Sequence, residues 1–268
     1  MNGPIAVAST PRIGPVHAPA LTAAGRFPAV SAAIGGAWLA LVVAQFTGEA
    51  AVLHHHALIE GGVAPAIAIP AFMVAWQVMV VAMMWPASLH AVAAVGLPSS
   101  HTAGPRLAVA TFLGAFAFVW AGFGLAAFAG DIVLHHIVDT TPWLAARPWL
   151  IGAGVLAAAG AYQLTPLKRR SLAACRVPGL SMASGEVGSL AAWRLGIRHG
   201  LDCLASTWAL MLVMFGAGFG SLTSMVALTV LVAYEVTGRH GQRAAATAGI
   251  LLLLLALWVV AAPLPGAG

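Results

Sequence analysis

Histidines and carboxylates gather in two polar stretches that lie between long apolar runs of this chain. Neutral imidazole is the commonest protein ligand for zinc, copper and nickel, and carboxylates can complete the coordination shell. Asp131, His135 and Asp139 recur every four residues, so on a helix they would share one face. The two stretches predict a transition-metal site, for copper or zinc, with these candidate ligands: His54, His55, His56, Asp131, His135, His136 and Asp139.

A second group of candidate ligands carries sulfur: Met79, Met83, Met211, Cys175 and Cys203. On helices, Met79 and Met83 share one face, and Cys203 and Met211 share another. Thioethers and thiolates are soft ligands that select Cu(I), and two thiols from separate segments form a linear Cu(I) site if the fold brings them together. The alternative is core packing, because methionine fills irregular gaps and buried cysteine behaves as a small hydrophobe. The histidine stretches also have an alternative to metal binding. They can be ordinary polar loops between spans, with Asp131 as the N-cap of a short helix.

The composition indicates what must hold these residues in place. Hydrophobic residues make up 61% of the chain and charged residues only 7%, with a mean hydropathy of +0.95. Soluble domains carry about 25% charged residues, and a chain this apolar could not cover its core with a polar surface. The predicted partner is therefore the lipid bilayer. Nucleic acid is not expected despite the net charge of +5, because the basic residues lie in the gaps between apolar runs.

Spanning helices need about 20 apolar residues. Seven runs meet or approach this length, which predicts an all-α polytopic transmembrane helical bundle with about seven spans in a single domain, residues 28–262. A disordered cytoplasmic tail, residues 1–27, should precede it, and a short outer tail, residues 263–268, should follow. The runs lie near residues 28–47, 66–86, 107–129, 148–165, 203–219, 220–236 and 244–262.

Basic residues predict the orientation. With the N-terminus in the cytoplasm and the C-terminus outside, eleven basic side chains fall on the inner side and only Arg147 on the outer side. Both polar stretches then form outer loops, and both cysteines lie at the cytoplasmic end, where thiols stay reduced.

The Thr165–Pro166 step predicts a sharp break after the fourth span, because proline disfavours helix in the residue before it. An interfacial segment that carries Cys175 should follow, with Lys168 and the two arginines after it at anionic headgroups. Glu235, at the end of the sixth span, is expected to pair with Arg239, four residues further on.

Three stretches together resemble a bacterial family of predicted metal-binding integral membrane proteins, designated domain of unknown function 2182, some of whose members are labelled copper chaperones. The stretches are AWQVMVVAMMWPA at residues 75–87, AYQLTPLKRRSLAACRVP at 161–178 and GLDCLASTWALM at 200–211. Members of the family commonly have a cysteine where Ser171 stands and a Gly-Cys-Cys run at residues 205–207. The resemblance implies a metal site near Cys175 and Cys203 that has lost three thiolates in this chain.

These observations predict a protein of the bacterial inner membrane that handles a transition metal, copper first. The outer histidine cluster is favoured as the binding site over the inner cysteines, because it has lost no ligand and water can deliver the ion to it. No enzyme is expected, since the chain lacks a phosphate loop, a His-Glu-x-x-His motif and a Gly-x-Ser-x-Gly motif. The alternative is a non-catalytic transmembrane subunit of an oxidase-type complex, packed through glycine-lined faces at Gly35, Gly36, Gly114, Gly122, Gly124, Gly216 and Gly218.

Overall fold

The fold is all-α. A computed structural model describes residue 25 and the ranges 27–47, 64–96, 104–176, 188–216 and 222–262. Nearly all of these residues are helical and none lies in a strand, so the predicted fold class is confirmed. Almost all of the predicted N-terminal tail, the predicted C-terminal tail and the residues His54, His55 and His56 lie outside the described ranges.

The described part of the chain contains nine helices, and each of the seven predicted apolar runs is helical over most of its described residues. Five of the helices begin at a proline, a residue whose fixed φ and missing N–H suit the first helical position. The helices are α1 Pro28–Thr47, α2 Pro65–Val95, α3 Pro105–Thr140, α4 Pro142–Ala145, α5 Trp149–Gln163, α6 Pro166–Arg176, α7 Ser189–Gly216, α8 Leu222–Thr237 and α9 Gly241–Ala261.

The lengths and apolar character of these helices indicate a membrane protein. Four of them, α1, α2, α3 and α9, are long and apolar enough to cross a bilayer, and the bent pair α5 and α6 would add a fifth span. Fewer than the seven predicted spans meet this requirement for length and apolar composition, for two physical reasons. Helix α8 has only 16 residues, and the first half of α7 carries Arg194, Arg198 and Asp202.

Helix α3 extends well beyond its predicted end. The sequence predicted a polar outer loop after residue 129, but the helix continues for three more turns and carries Asp131, His135, His136 and Asp139. The loop placement of these residues was therefore wrong, and Asp131 does not cap a short helix. Polar residues continue a helix readily, and α3 ends only where Pro142 disfavours helix in Thr141.

The break at Thr165 is confirmed, since α5 and α6 meet at an angle of 66°. Thr165 begins α6 as its N-cap, because its hydroxyl oxygen accepts a hydrogen bond of 3.2 Å from the backbone N–H of Lys168. The turn points α6 back into the bundle, where it packs against α7 and α8. This turn delivers Lys168 and Cys175 to the interior.

Most of the glycines suggested by the sequence do not lie at close helix contacts, and other glycines do. Helices α5 and α9 approach through Gly160 and Gly249, where an added methyl group on either would lie within 3 Å of the other's carbonyl oxygen. Among the suggested glycines, Gly124 lies against the ring of Trp76. At Gly35, Gly36, Gly114 and Gly122, an added methyl group would have no neighbour within 4 Å among the described residues of other helices.

Candidate metal site

The two cysteines of the chain meet in the centre of the bundle. Cys175 lies near the end of α6 and Cys203 lies in the middle of α7, and both are almost completely buried. Neither forms a disulfide, and both belong to the same core cluster, where their side chains lie close enough to interact. The fold therefore brings together two thiols from separate segments, as a linear two-thiolate site requires.

The helical repeat of α6 turns one face into the core. Lys168, Ser171, Leu172 and Cys175 occupy positions i, i+3, i+4 and i+7 of this helix, and all four are buried. Their neighbours Arg169 and Arg170 lie on the opposite face and are exposed. Because α6 packs along α7, this face meets the side of α7 that carries Cys203.

Further ligand atoms lie near the thiol pair. The hydroxyl of Thr207 donates to the backbone oxygen of Cys203 at 2.8 Å and lies 3.9 Å from Sδ of Met84. Nε2 of His90 lies 3.0 Å from the backbone oxygen of Cys175. The sequence analysis selected Met83 and missed Met84 as a candidate ligand, although Met84 stands in the first of the family-like stretches. Adjacent residues on a helix point in different directions, so helical periodicity placed Met83 on the chosen face and left Met84 off it. In the structure both Met83 and Met84 are fully buried.

The other predicted sulfur ligands belong to the same core. Met83 and Met211 are buried in it, and Met79 is half-buried and packs against it. Cys203 and Met211 share one face of α7 as predicted, and this face is turned into the core, since both residues and Thr207 are almost fully buried.

Three hydroxyl residues stand where the resembled family commonly has cysteine. Ser171, Ser206 and Thr207 are all buried and lie on the same helices as the thiol pair. The hydroxyls of Ser206 and Thr207 each donate to the backbone oxygen of Cys203 at 2.8 Å. Ser171, Ser206 and Thr207 therefore lie on the two helices that carry Cys175 and Cys203, and their hydroxyls bond to backbone oxygens of those helices.

The outer candidates form a smaller constellation. Nδ1 of His135 lies 3.3 Å from Oδ2 of Asp131 and 2.9 Å from its backbone oxygen, so these residues share a face of α3 as predicted. His136 and Asp139 are exposed near the end of the same helix. Among the described residues, no group of three or more His, Cys, Asp or Glu side chains is arranged to hold a metal ion. The contribution of the triplet His54, His55 and His56 stays a prediction.

A buried ion pair lies next to the thiol centre, and the sequence analysis did not predict it. Nζ of Lys168 contacts Oε2 of Glu235 at 2.5 Å and donates to the backbone oxygen of Ser206 at 2.6 Å. Nε2 of Gln163 donates to the other oxygen of Glu235 at 2.8 Å. The side chains of Lys168 and Glu235 are completely inaccessible to solvent. The pair joins α6 to α8, and its hydrogen bonds reach α5 and α7.

Two expectations are therefore wrong. Lys168 does not lie at the headgroups with Arg169 and Arg170, and Glu235 pairs with Lys168 rather than with Arg239. A charge inside an apolar bundle is stable only with a partner, and each of these residues supplies the partner of the other. The sequence did contain a signal for this pair, because Lys168 is the only lysine of the chain and Glu235 follows a long apolar run.

Comparison with known proteins gives a family match that covers all three of the family-like stretches. A family model described as PpoB2, copper chaperone, matches residues 73–259, which is most of the chain. The match includes α6, α7 and α8 completely, and with them the thiol pair and the buried ion pair. Neither curated proteins nor solved structures give a significant match. The chain belongs to the copper chaperone family whose model it matches over these residues.

Proposed function

We propose that this protein is a multi-pass protein of the bacterial inner membrane that binds Cu(I) between Cys175 and Cys203. The observation that carries the proposal is that two buried thiols from different helices lie close together inside one core that is rich in thioethers. Soft sulfur ligands select Cu(I), and the description of the family supports copper handling. Binding converts both thiols to thiolates, so two protons leave for solvent as the ion enters.

The number of available ligands favours copper over zinc at this centre. Structural zinc sites are almost always tetrahedral and use four ligands drawn from Cys, His and carboxylates. The described residues contain no group of even three such side chains suited to one ion. Two thiolates, with Met84 in the same core, suit the low coordination number of Cu(I) instead.

The proposal includes seven spans with the N-terminus in the cytoplasm. With Lys168 assigned to the interior, ten arginines remain on the inner side against Arg147 on the outer side, so the charge asymmetry persists. An alkaline phosphatase fused at Gly268 should therefore be active, because this reporter works only outside the cytoplasm. A cytoplasmic reporter that is active at the same position would overturn the orientation.

The binding site is tested by Cu(I) stoichiometry on purified protein in detergent under anaerobic conditions. We expect wild type to hold about one tightly bound Cu(I), and Cys203→Ser and Cys175→Ser each to lose it, because a hydroxyl is a poor ligand for a soft ion. The double variant His135→Ala/His136→Ala should retain it. Ser206→Ala is the matched control, since it removes a hydroxyl from the same core without removing sulfur.

The competing sites give distinct outcomes in the same experiment. If the double histidine variant loses the metal and both cysteine variants keep it, the outer cluster is the site and the proposal is wrong. If no variant changes a measurable stoichiometry, or wild type binds no Cu(I), the alternative of a structural subunit replaces the metal-binding proposal.

A further inference from the structure

Sulfur atoms are concentrated in one part of the molecule. All seven methionines in the described ranges, and both cysteines, belong to a single core cluster or pack directly against it. The remaining two methionines, Met1 and Met182, lie outside the described ranges. The sulfur residues of this cluster are Met73, Met79, Met83, Met84, Met211, Met214, Met225, Cys175 and Cys203.

Packing alone does not account for this distribution. Methionine fills irregular gaps in any apolar core, so methionines chosen for packing should occur in every core of the molecule. The two other hydrophobic clusters are built from the same kinds of helices, yet they contain neither methionine nor cysteine. The placement of sulfur therefore points to a function of the central core.

The sulfur-containing residues are spread along two helices, α2 and α7, which run antiparallel in this region. Met84 on α2 meets Thr207 on α7, and Ser88 meets His199, so residue numbers rise on one helix as they fall on the other. Met73 precedes Met84 by eleven residues, which is about 16 Å of helix. The sulfurs at the start of this run therefore lie far from the thiol pair.

The same distance separates sulfurs on α7. Met214 follows Cys203 by eleven residues, again about 16 Å, and Met211 lies between them. Because α2 and α7 are antiparallel, Met73 and Met214 lie toward the same end of the bundle. Met225 lies in the first turn of α8, which follows α7 closely in the chain, and it belongs to the same core.

Burial decreases along this series toward the end that carries Met73, Met214 and Met225. Cys203, Met84 and Met211 are 0–1% exposed, whereas Met225 is 7% and Met214 is 8% exposed. Met73 is only partly buried. Burial is therefore nearly complete around the thiol pair and lower at the opposite end, which is the open end of the series.

We infer that these thioethers form a track along which Cu(I) passes between the open end and the Cys175–Cys203 pair. The inference rests on the proposed function, because the track ends at the proposed site. Thioethers are neutral, so they bind Cu(I) without losing a proton. Movement of an ion also requires several sites that bind strongly enough to admit it and weakly enough to release it. In the proposed orientation the open end faces the outer side.

The track is tested with the triple variant Met73→Leu/Met214→Leu/Met225→Leu in the full-length protein. Leucine conserves volume and removes sulfur, so the fold should be retained. Stopped-flow spectroscopy follows the loss of colour as protein takes Cu(I) from a bicinchoninate complex. We expect uptake to slow by about tenfold or more while the final stoichiometry stays at the wild-type value. Single Met214→Leu and Met225→Leu variants should give smaller decreases.

Two comparisons separate failure of the track from failure of the site. Leu156→Met, in a cluster without sulfur, is the matched control and should leave the uptake rate unchanged. If the triple variant and the single variants take up Cu(I) at the wild-type rate while Cys203→Ser abolishes binding, the track is wrong and the site stands. If Cys203→Ser binds Cu(I) normally, the proposed site fails and the track fails with it.

Discussion

Replacement of Lys168 by methionine should lower the free energy of unfolding by about 3–5 kcal/mol. The substitution leaves Glu235 without its cationic partner in a position that solvent does not reach. Within the described ranges, Gln163 alone would still donate to the carboxylate, and a single amide does not replace an ammonium group. The backbone oxygen of Ser206 would also lose its hydrogen bond from Nζ. The effect should be seen as a lower midpoint in unfolding of the detergent-solubilised protein.

A neighbouring residue provides the control for this experiment. Arg169→Met removes the same charge one position away, on the exposed face of α6, and should change stability by no more than about 0.5 kcal/mol. The double variant Lys168→Met/Glu235→Leu should recover much of the loss, because two apolar side chains can replace a buried ion pair at little cost. A Lys168→Met protein as stable as Arg169→Met would contradict the buried pair.

The position of the pair explains why its loss should affect more than stability. Lys168 and Cys175 belong to the same buried face of α6, and Ser206 donates to Cys203 besides accepting from Lys168. The pair therefore holds α6 against the helix that carries the second thiol. A buried charge pair is weak support for stability as such, but here it fixes which helices meet at the thiol centre.

Gly196→Ala should destabilise the protein by about 1–3 kcal/mol. A methyl group at Gly196 would lie 2.3 Å from the backbone oxygen of Phe112 and 2.7 Å from Cβ of Ala115. Both atoms lie on α3, one in its backbone and one in a short side chain. Neither can move aside by itself, so α3 and α7 would have to separate. Alanine is the better helix former by about 1 kcal/mol, so helix propensity alone predicts the opposite sign. Thermal unfolding in detergent measures the change.

The matched control for this substitution is Gly114→Ala on α3. No atom lies within 4 Å of a methyl group at Gly114, so the propensity of alanine should act alone and stability should stay constant or rise. If Gly196→Ala is also neutral or stabilising, α3 and α7 do not pack as closely at Gly196 as the structure describes.

The sequence by itself determined the helical elements and much of their chemistry. Long apolar runs specify helices because lipid cannot hydrogen-bond exposed backbone groups, and each predicted run is helical. The break at Thr165 followed from the local effect of Pro166, and the buried face of α7 followed from helical periodicity. These features depend on residues within a few positions of each other, so a linear reading recovers them.

Only the tertiary structure decided which of the candidate groups meet. Cys175 and Cys203 are 28 residues apart in the chain, and Lys168 and Glu235 are 67 apart. Hydropathy assigned Lys168 to the headgroups because a lone charge is costly in an apolar interior. A partner from a distant helix removes that cost, and no local pattern encodes the partner. The same packing gathers the methionines of three helices into one core, which helical periodicity could place on faces but not against each other.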